Sequence, residues 1–353
     1  MTVRAFGGPS LYVQGPGAFA DLGPRIAALG ARPFVVADQV VAQLLGARLR
    51  AALGADATFA TFGGECTAAE IDRLSAAARQ AGAGVVLGVG GGKAIDTAKG
   101  VRMALACPLA IVPTIASNDS PTSRLAVLYT DDHVLSEVRL MATNPDLVLV
   151  DTAVIAQAPA RFFAAGIGDA LSKKFEVEQC AAAGGLNFYK GAPTELSRAI
   201  ADRCYAIVRA DGAAAMDAVR RQAPDAAMEK VVEATILLSG LAFESGGLSI
   251  AHSLTRGFSA VPEISRFLHG EQVALGLLAQ LVAEGRDQAF LADLKAFYGV
   301  IGLPVSLEAF GVTDPAAVDL IADVTWRTAP YVRNFRPELS QAQLHAALAS
   351  LMT

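Results

Sequence analysis

Short apolar segments alternate with amphipathic segments in the first half of the chain. The apolar segments are rich in β-branched residues. They predict strands at PFVVAD (33–38), GVVLGVGG (84–91), PLAIVPT (108–114), AVLYT (126–130) and DLVLVDT (146–152). Most lack polar alternation, which is typical of strands buried on both faces of a sheet. The segments between them, such as 68–82 and 93–105, have apolar residues at helical spacing. The alternation predicts an α/β domain with a parallel sheet and crossover helices.

The pattern becomes purely helical after residue 160. Long segments with helical periodicity follow one another, and no further strand is predicted. The Ala-Pro-Ala segment at 158–160 is the natural boundary. We therefore expect two domains, an α/β domain at residues 1–160 and an all-α domain at residues 161–353. Since no linker separates them, the cleft between the domains is the expected ligand site.

Composition excludes several classes of protein. The chain has 353 residues and a net charge of −5, which argues against non-specific nucleic-acid binding. No uninterrupted apolar run reaches the ~20 residues that a membrane span needs. The start of the chain lacks the pattern of a signal peptide, and the four cysteines form no CxxC pair. We therefore expect a cytoplasmic protein with reduced thiols.

A glycine cluster, GVGGGKAID (88–96), follows one predicted strand and begins a helix. Gly90, Gly91 and Gly92 would let backbone N–H groups approach a pyrophosphate, and the helix N-terminus favours an anion. Lys93 would add a positive charge or frame the loop. The cluster matches neither the GxGxxG fingerprint nor a loop ending in GK[ST], so a plain strand-to-helix turn is the alternative.

Polar residues follow two other predicted strands. Asp38 ends PFVVAD, where a carboxylate could bind a ribose 2′-hydroxyl and repel a 2′-phosphate, favouring NAD over NADP. A helix N-cap explains Asp38 equally well. The loop 113–129 offers small polar side chains that could position a cofactor ribose or a substrate hydroxyl, although a plain turn would have the same composition. Its candidates are Thr114, Ser117, Asp119, Ser123 and Tyr129. A further turn is expected at His133.

Three metal-ligand types lie in the helical half. Asp169, His252 and His269 come from separate segments, and one carboxylate with two imidazoles is sufficient for a catalytic zinc or iron(II) site. Such an ion would polarise an alcohol oxygen. A buried, hydrogen-bonded histidine is the alternative for each imidazole.

Six ordered segments resemble the glycerol dehydrogenases of the iron-containing alcohol dehydrogenase superfamily. They are GVGGGKAIDTAKG, PTIASNDSPTS, NPDLVLVDT, AGIGDALSKKFE, AFESGGLSIAH and FLHGEQVALG. The resemblance implies a Rossmann-like N-terminal domain, a helical C-terminal domain and a dehydroquinate synthase-like fold. It also implies NAD, a divalent metal (zinc expected, iron the alternative) and assembly into homo-oligomers.

The resemblance also implies residue roles. Asp169, His252 and His269 take the metal-ligand positions, Asp119 a substrate-hydroxyl position, and Phe243 packs close to the substrate. The cofactor positions are Asp38, Gly90, Gly91, Gly92, Lys93, Asp96, Thr114, Ser117, Ser123, Leu125 and Tyr129.

The sequence departs from the family where the substrate would bind. HSLTRG (252–257) stands where the family has HAxHNG, so Thr255 and Arg256 replace a histidine and an asparagine. Arg124 replaces an alanine. Lys173 lies one helical turn after Asp169, where an ammonium cannot ligate a metal and would repel one. These basic residues either bind an anionic substrate group or turn to solvent and to Glu176, Glu178 or Glu244.

Three functions follow. The leading one is an NAD-dependent, metal-assisted dehydrogenase acting on a small polyol or vicinal diol, or reducing the matching ketone or aldehyde, with a proton relay through water, the cofactor ribose and Thr255. The alternative is a reductase of 2-oxo acids or other anionic carbonyl compounds, with Lys173 and Arg256 binding the anion. The third is a cofactor-binding protein without turnover.

Overall fold

A six-stranded parallel sheet forms the first half of the protein. The computed structural model describes residues 3–132 and 134–353, so the turn expected at His133 lies outside the described residues. The described residues form eight strands. They are β1 (Tyr12–Gly15), β2 (Pro33–Ala37), β3 (Thr58–Thr61), β4 (Val85–Gly90), β5 (Leu109–Pro113), β6 (Leu125–Tyr129), β7 (Leu135–Leu140) and β8 (Leu147–Asp151). Of these, β6 and β7 lie outside the six-stranded sheet. The sheet order is β1-β8-β5-β4-β2-β3, and every neighbouring pair in it is parallel.

Helices cover both faces of this sheet. They are α1 (Leu22–Leu29), α2 (Gln39–Leu53), α3 (Ala68–Gln80), α4 (Gly92–Leu105) and α5 (Thr152–Ile155). Strands β2, β4, β5 and β8 are buried throughout, and their alternate side chains contribute to two separate apolar clusters, one on each face. Burial on both faces explains why these strands read as continuous apolar runs in the sequence.

The segment AVLYT was expected to join the parallel sheet, and this expectation is wrong. It forms β6, which pairs antiparallel with β7 in a separate two-stranded sheet. Its burial alternates, unlike that of the central strands, because only one face of the hairpin packs against the domain. Strands β1, β3 and β7 were not predicted from the sequence. They are partly exposed, and so carry no long apolar run.

The second half is helical throughout the described residues. Its helices are α6 (Ala160–Ala183), α7 (Glu195–Arg220), α8 (Ala226–Val232), α9 (Ser239–Gly246), α10 (Ile250–Phe258), α11 (Pro262–Ser265), α12 (His269–Ala283), α13 (Gln288–Ile301), α14 (Ala316–Thr328) and α15 (Gln341–Ala349), with a π-helical turn at Glu233–Leu238. In the described chain, no single helix is long and apolar enough to cross a membrane, and only the pair Ala226–Gly246 and Ile250–Phe258, bent by 97°, satisfies that criterion jointly. The predicted fold class, a parallel α/β domain followed by helices, is confirmed.

The strand order places a ligand crevice between β2 and β4. The chain runs outward from β2 to β3 and then returns to the other side of β2 as β4. Open parallel sheets bind ligands at the carboxyl ends of strands where the order reverses in this way. Asp38 and Gly90 lie at these two strand ends. The topology therefore brings two predicted cofactor residues to one edge.

Helices α10 and α12 pack with their backbones in close approach. A side-chain carbon added at Gly276 of α12 would lie 2.5 Å from the carbonyl oxygen of Ala251 in α10. His252 follows Ala251 directly, and His269 begins α12. Glycine at this crossing therefore sets how closely the two histidine-bearing helices approach.

We expect Gly276→Ala to destabilise the protein by about 1–3 kcal/mol, because the new methyl group overpacks against a backbone oxygen. Gly299→Ala in α13 is the matched control, since its added carbon would meet nothing within 4 Å. There the substitution should stabilise by about 0.5–1 kcal/mol through helix propensity. Urea denaturation measures both changes. Equal effects at the two sites would contradict the close crossing.

Candidate active site

The glycine loop leaves its backbone open at the edge of the sheet. Gly90 has a φ of +150°, which favours glycine, and Gly91 is the N-cap of α4 without a side-chain cap. A side chain at Gly91 would come within 2.8 Å of Ile115, and one at Gly92 within 3.0 Å of the Asn118 amide nitrogen. The first N–H groups of α4 are thus available to an anion. This cradle fits the pyrophosphate of a dinucleotide.

Asp38 acts as an N-cap and also faces the glycine loop. Its Oδ1 accepts a hydrogen bond from Val41 N at 2.8 Å at the start of α2. Its Oδ2 lies 3.7 Å from the position that a side-chain carbon at Gly90 would take. The two interpretations of Asp38 are therefore compatible, because each uses a different oxygen. Its contact with a ribose stays a prediction.

Lys93 turns to protein partners and not to the glycine backbone. Its Nζ lies 2.6 Å from a carboxylate oxygen of Glu65 and 5.3 Å from the centre of the Tyr129 ring. Burial, followed by the negative charge of Asp96, raises the pKa of the Tyr129 phenol above its ordinary value. Of the two roles considered for Lys93, the structure favours framing the loop.

A buried ammonium holds the polar loop in shape. Lys99 of α4 is fully buried, and its Nζ donates to Asp96 Oδ1 at 2.9 Å, to Ser120 O at 2.8 Å and to Leu125 O at 2.5 Å. The other oxygen of Asp96 accepts from Val127 N at 3.0 Å. Asp96 and the Leu125 carbonyl are thus engaged with Lys99 and the loop backbone. Sequence reasoning missed Lys99, whose residue type is usually exposed.

Two of the predicted hydroxyl groups stay available. The side chains of Thr114 and Ser117 are half-buried, and neither is hydrogen-bonded to a residue in the described ranges. Ser123 is buried and lies 3.3 Å from Lys99 Nζ, so it belongs to the support of the loop. The sheet edge thus offers free hydroxyls next to the glycine cradle.

We expect Lys99→Met to lower the free energy of unfolding by about 3 kcal/mol, because it leaves the buried Asp96 carboxylate without its counter-charge. Lys230→Met is the matched control. Lys230 pairs with Asp211 at 3.1 Å on the surface, and exposed pairs contribute within about 0.5 kcal/mol. Denaturant titrations of both variants test this, and a similar small effect in both would count against the role of Lys99.

The predicted metal ligands converge in the helical half. Asp169 comes from α6, His252 from α10 and His269 from the start of α12. One ligand atom from each lies within 4.8 Å of the others, and the two rings are 5.4 Å apart. Asp169 Oδ2 is buried without a partner among the described residues. Taken alone, these donors suit a divalent cation.

Glu176 fixes the orientation of His252. Its Oε2 lies 2.6 Å from His252 Nδ1, and its Oε1 accepts from the backbone N–H groups of Ser249 and His252, both at 2.9 Å. Burial disfavours the carboxylate, but His252 outweighs this and the pKa of Glu176 is lowered. Glu176 lies two helical turns after Asp169 on the same face. That spacing was the available signal for this residue.

Lys173 lies inside the ligand cluster. It is fully buried, and its Nζ is 2.5 Å from Asp169 Oδ1, 3.1 Å from His252 Nε2 and 3.2 Å from Asp119 Oδ2. Burial opposes the charge, but Asp119 and Asp169 outweigh it, so the pKa of Lys173 is raised and that of Asp169 lowered. The expectation that Lys173 turns to solvent or pairs with Glu176, Glu178 or Glu244 is therefore wrong.

The ammonium also restricts the tautomer of His252. Burial acts to lower the pKa of His252, but Glu176 and Asp169 outweigh burial and the opposing charge of Lys173, so the pKa is raised to about 9. Because an ammonium has no lone pair, a hydrogen bond between Lys173 and Nε2 requires Nε2 to be the acceptor. The proton of the ring then resides on Nδ1, towards Glu176. His269, at the start of α12, is the solvent-exposed member of the three possible ligands.

With Lys173 in place, a divalent metal does not fit this site. An ion about 2.1 Å from both Asp169 Oδ1 and His252 Nε2 would lie within about 4 Å of Lys173 Nζ. At that distance a doubly charged ion and an ammonium repel by roughly 8 kcal/mol at an effective dielectric constant of about 20. The donors are present, but the site already contains a cation.

Asp119 connects the cation cluster with the cofactor edge. Its Oδ2 accepts from Ser239 Oγ at 2.6 Å and pairs with Lys173, while Oδ1 has no partner among the described residues. Burial, followed by Asp169, raises the pKa of Asp119. The preceding residue, Asn118, lies against Gly92. One loop thus joins the glycine cradle to the helical site through adjacent residues.

The remaining departures from the family differ in their positions. Arg124 pairs with the buried Glu244 at 3.6 Å and donates to Phe188 O, which agrees with the second of the two interpretations considered for it, pairing with a nearby glutamate. Thr255 Oγ1 donates to His252 O at 2.7 Å. Arg256 is half-buried and makes no ion pair within the described chain, and its charge acts on Tyr129 and Tyr331.

Comparison with known proteins gives consistent matches. The family model for iron-containing alcohol dehydrogenases matches residues 9–152. The chain is 42% identical to the glycolaldehyde reductase of Halobacterium salinarum over 89% of this chain and 87% of that protein. It is 37% identical to the glycerol dehydrogenase of Escherichia coli over 98% and 95%. The crystal structure of glycerol dehydrogenase from Schizosaccharomyces pombe superposes with a TM-score of 0.93 at 33% identity, covering 99% of this chain and 91% of that one.

Proposed function

The chain belongs to the glycerol dehydrogenase family of iron-containing alcohol dehydrogenases, and on that premise we propose that it is an NAD-dependent dehydrogenase of small polyols or vicinal diols. It is an oxidoreductase acting on CH–OH groups, and the resemblance seen in its sequence is confirmed. The observation that carries the proposal is the free oxygen of Asp119 between the glycine cradle and a buried cation cluster.

The family implies NAD and a divalent metal ion. The glycine cradle and Asp38 fit the cofactor, with the pyrophosphate over residues 90–92 and the adenosine ribose at Asp38. The roles of Thr114 and Ser117 towards the cofactor are part of the proposal, supported by their unpaired hydroxyls. The zinc expected from the sequence conflicts with the ammonium that already lies among the candidate ligands. Homo-oligomeric assembly and a cytoplasmic location stay predictions from the sequence.

Oxidation of an alcohol removes a hydride from carbon and a proton from oxygen. NAD, when bound, accepts the hydride at its nicotinamide ring. Asp119 Oδ1 accepts the hydrogen bond of the substrate hydroxyl and takes its proton, since Ser239 and Lys173 hold the other oxygen. Reduction of the ketone or aldehyde reverses both transfers. The ring of Phe243, with its centre 5.6 Å from Lys173 Nζ, bounds the site on its apolar side.

The charge distribution favours a neutral substrate. Asp169 and Asp119 already balance the charge of Lys173, which therefore attracts a substrate carboxylate weakly. Of the basic residues considered for an anion, Arg124 is paired with Glu244, and Arg256 is left. Of the basic residues that the sequence suggested for an anion, Arg256 alone still supports the alternative of a 2-oxo acid reductase.

We expect reduction of hydroxyacetone with NADH to exceed that of pyruvate at least about tenfold in kcat/KM, because the site lacks an uncompensated cation at Lys173. Glycerol and propane-1,2-diol should be oxidised with NAD. The two ketones share a carbon skeleton and differ in the charged group. A preference for pyruvate would support the anionic alternative, and no turnover of any compound would support a cofactor-binding protein.

We expect Asp38→Asn to lower the ratio of kcat/KM for NAD over NADP by about tenfold, because asparagine keeps the N-cap and removes the charge that repels a 2′-phosphate. Asp287→Asn is the matched control, since Asp287 caps α13 through Phe290 N at 2.7 Å. Steady-state kinetics with both cofactors give the ratio. A ratio that changes equally in both variants would remove Asp38 from the cofactor site.

A further inference from the structure

We propose that the ammonium group of Lys173 takes the place of the divalent ion, so that the chain works as a metal-independent dehydrogenase. The catalytic part of this inference rests on the proposed function, whereas its metal-binding part does not. The inference begins from the position of Lys173 Nζ between Asp169, His252 and Asp119.

The contacts of Nζ suit an ammonium in this position. An ammonium has three N–H donors and no acceptor. Its Nζ lies at hydrogen-bond distance from Asp169 Oδ1 and His252 Nε2 and forms an ion pair with Asp119 Oδ2 at 3.2 Å. Asp169 and His252 are also two of the three residues that could hold a metal ion. The lysine therefore engages two of the three side chains that an ion would need.

Two buried carboxylates hold the ammonium in place. The carboxylates of Asp119 and Asp169 are both buried and share Lys173 as their neighbouring cation. Buried charges are retained when they are paired, so removal of the ammonium would leave both carboxylates without this counter-charge. The covalently attached charge thus supplies a cation at the position where an ion would otherwise have to supply it.

Lys173 has no direct route to solvent. It lies in the middle of α6 and is fully buried, with the ring of Phe243 on one side. Moving its charge away to admit an ion would leave that charge among packed side chains without acceptors. The adjacent Lys174 shows the contrast, because it reaches the surface and pairs with Glu178 and Asp202.

Lys173 acts on the reaction as a positioning residue. Together with Ser239 it holds Asp119 Oδ2, which leaves Oδ1 for the substrate hydroxyl. It also holds His252 Nε2 as an acceptor, with Glu176 on the other side of the ring. Both contacts keep Asp119 and His252 in one arrangement.

The first test uses the unmodified protein. After dialysis against a strong chelator, elemental analysis should find less than about 0.1 equivalent of any transition metal, because the ammonium competes for the deprotonated ligands. Turnover of hydroxyacetone should be unchanged by the chelator and by added zinc. One equivalent of tightly bound metal, with activity lost on its removal, would overturn the proposal.

The second test uses Lys173→Ala, which should create a metal site. Cobalt(II) should bind with visible absorption bands and zinc should raise the melting temperature, as expected for ligands that bind the folded state. Metal-free activity should fall about 100-fold or more and recover partly with zinc. A purely structural lysine would give no recovery by zinc. Lys174→Ala is the matched control and should behave as the unmodified protein does.

The outcomes separate this inference from the proposed function. Absence of turnover with every substrate would refute the function, while metal analysis and the cobalt spectrum would still decide the role of Lys173. Should Lys173→Ala not fold, Lys173→Met keeps the side-chain length and the metal content of the unmodified protein remains decisive. Failure of the folded Lys173→Ala variant to bind cobalt or zinc would count against the inference.

Discussion

Two ammonium groups without solvent contact organise the site, and each must be matched by acceptors in its surroundings. Lys99 donates hydrogen bonds to Asp96 and to two backbone carbonyls of the polar loop. Lys173 contacts Asp169, Asp119 and His252. A buried charge without partners costs several kcal/mol, so the acceptors cannot relax independently. The first cluster shapes the cofactor edge and the second shapes the substrate side.

The loop between β5 and β6 couples these two clusters. Its carbonyl groups at Ser120 and Leu125 accept from Lys99, and its Asp119 pairs with Lys173. Asn118 lies against the glycine cradle. This short loop therefore links the edge of the sheet to the helical half of the protein. The pair of Arg124 with Glu244 of α9 extends from the same loop and supports this connection.

The sequence allowed the fold to be predicted where burial is uniform. Strands β2, β4, β5 and β8 are buried on both faces and are visible as apolar runs, whereas β1 and β3 are partly exposed and were missed. The hairpin of β6 was assigned to the wrong sheet, because strand pairing depends on long-range contacts that periodicity does not contain.

The residue types in the site could be predicted from the sequence, but their contacts with one another could not. The residue types of Asp169, His252 and His269 and the family resemblance both pointed to a metal site, but their convergence required the packing of three helices. Glu176 was considered only as a partner for the basic residues, and Lys99 was overlooked. Both matter because they are buried, and the residue type of a charged side chain does not show whether it is buried. Lys173 was recognised as a departure, but its partners were not foreseen.

The substitutions that separate this chain from its family act in one direction. Lys173 places a positive charge in the cation cluster, and Arg256 adds another near Tyr129 and Tyr331. Thr255 removes an imidazole and turns its hydroxyl back to the His252 carbonyl. A fixed positive charge in the site repels a mobile cation and so weakens its binding. The same charge still stabilises the ionised form of the buried carboxylates. The family scaffold thus keeps its electrostatic requirement for a cation, and in this chain a side chain already meets it.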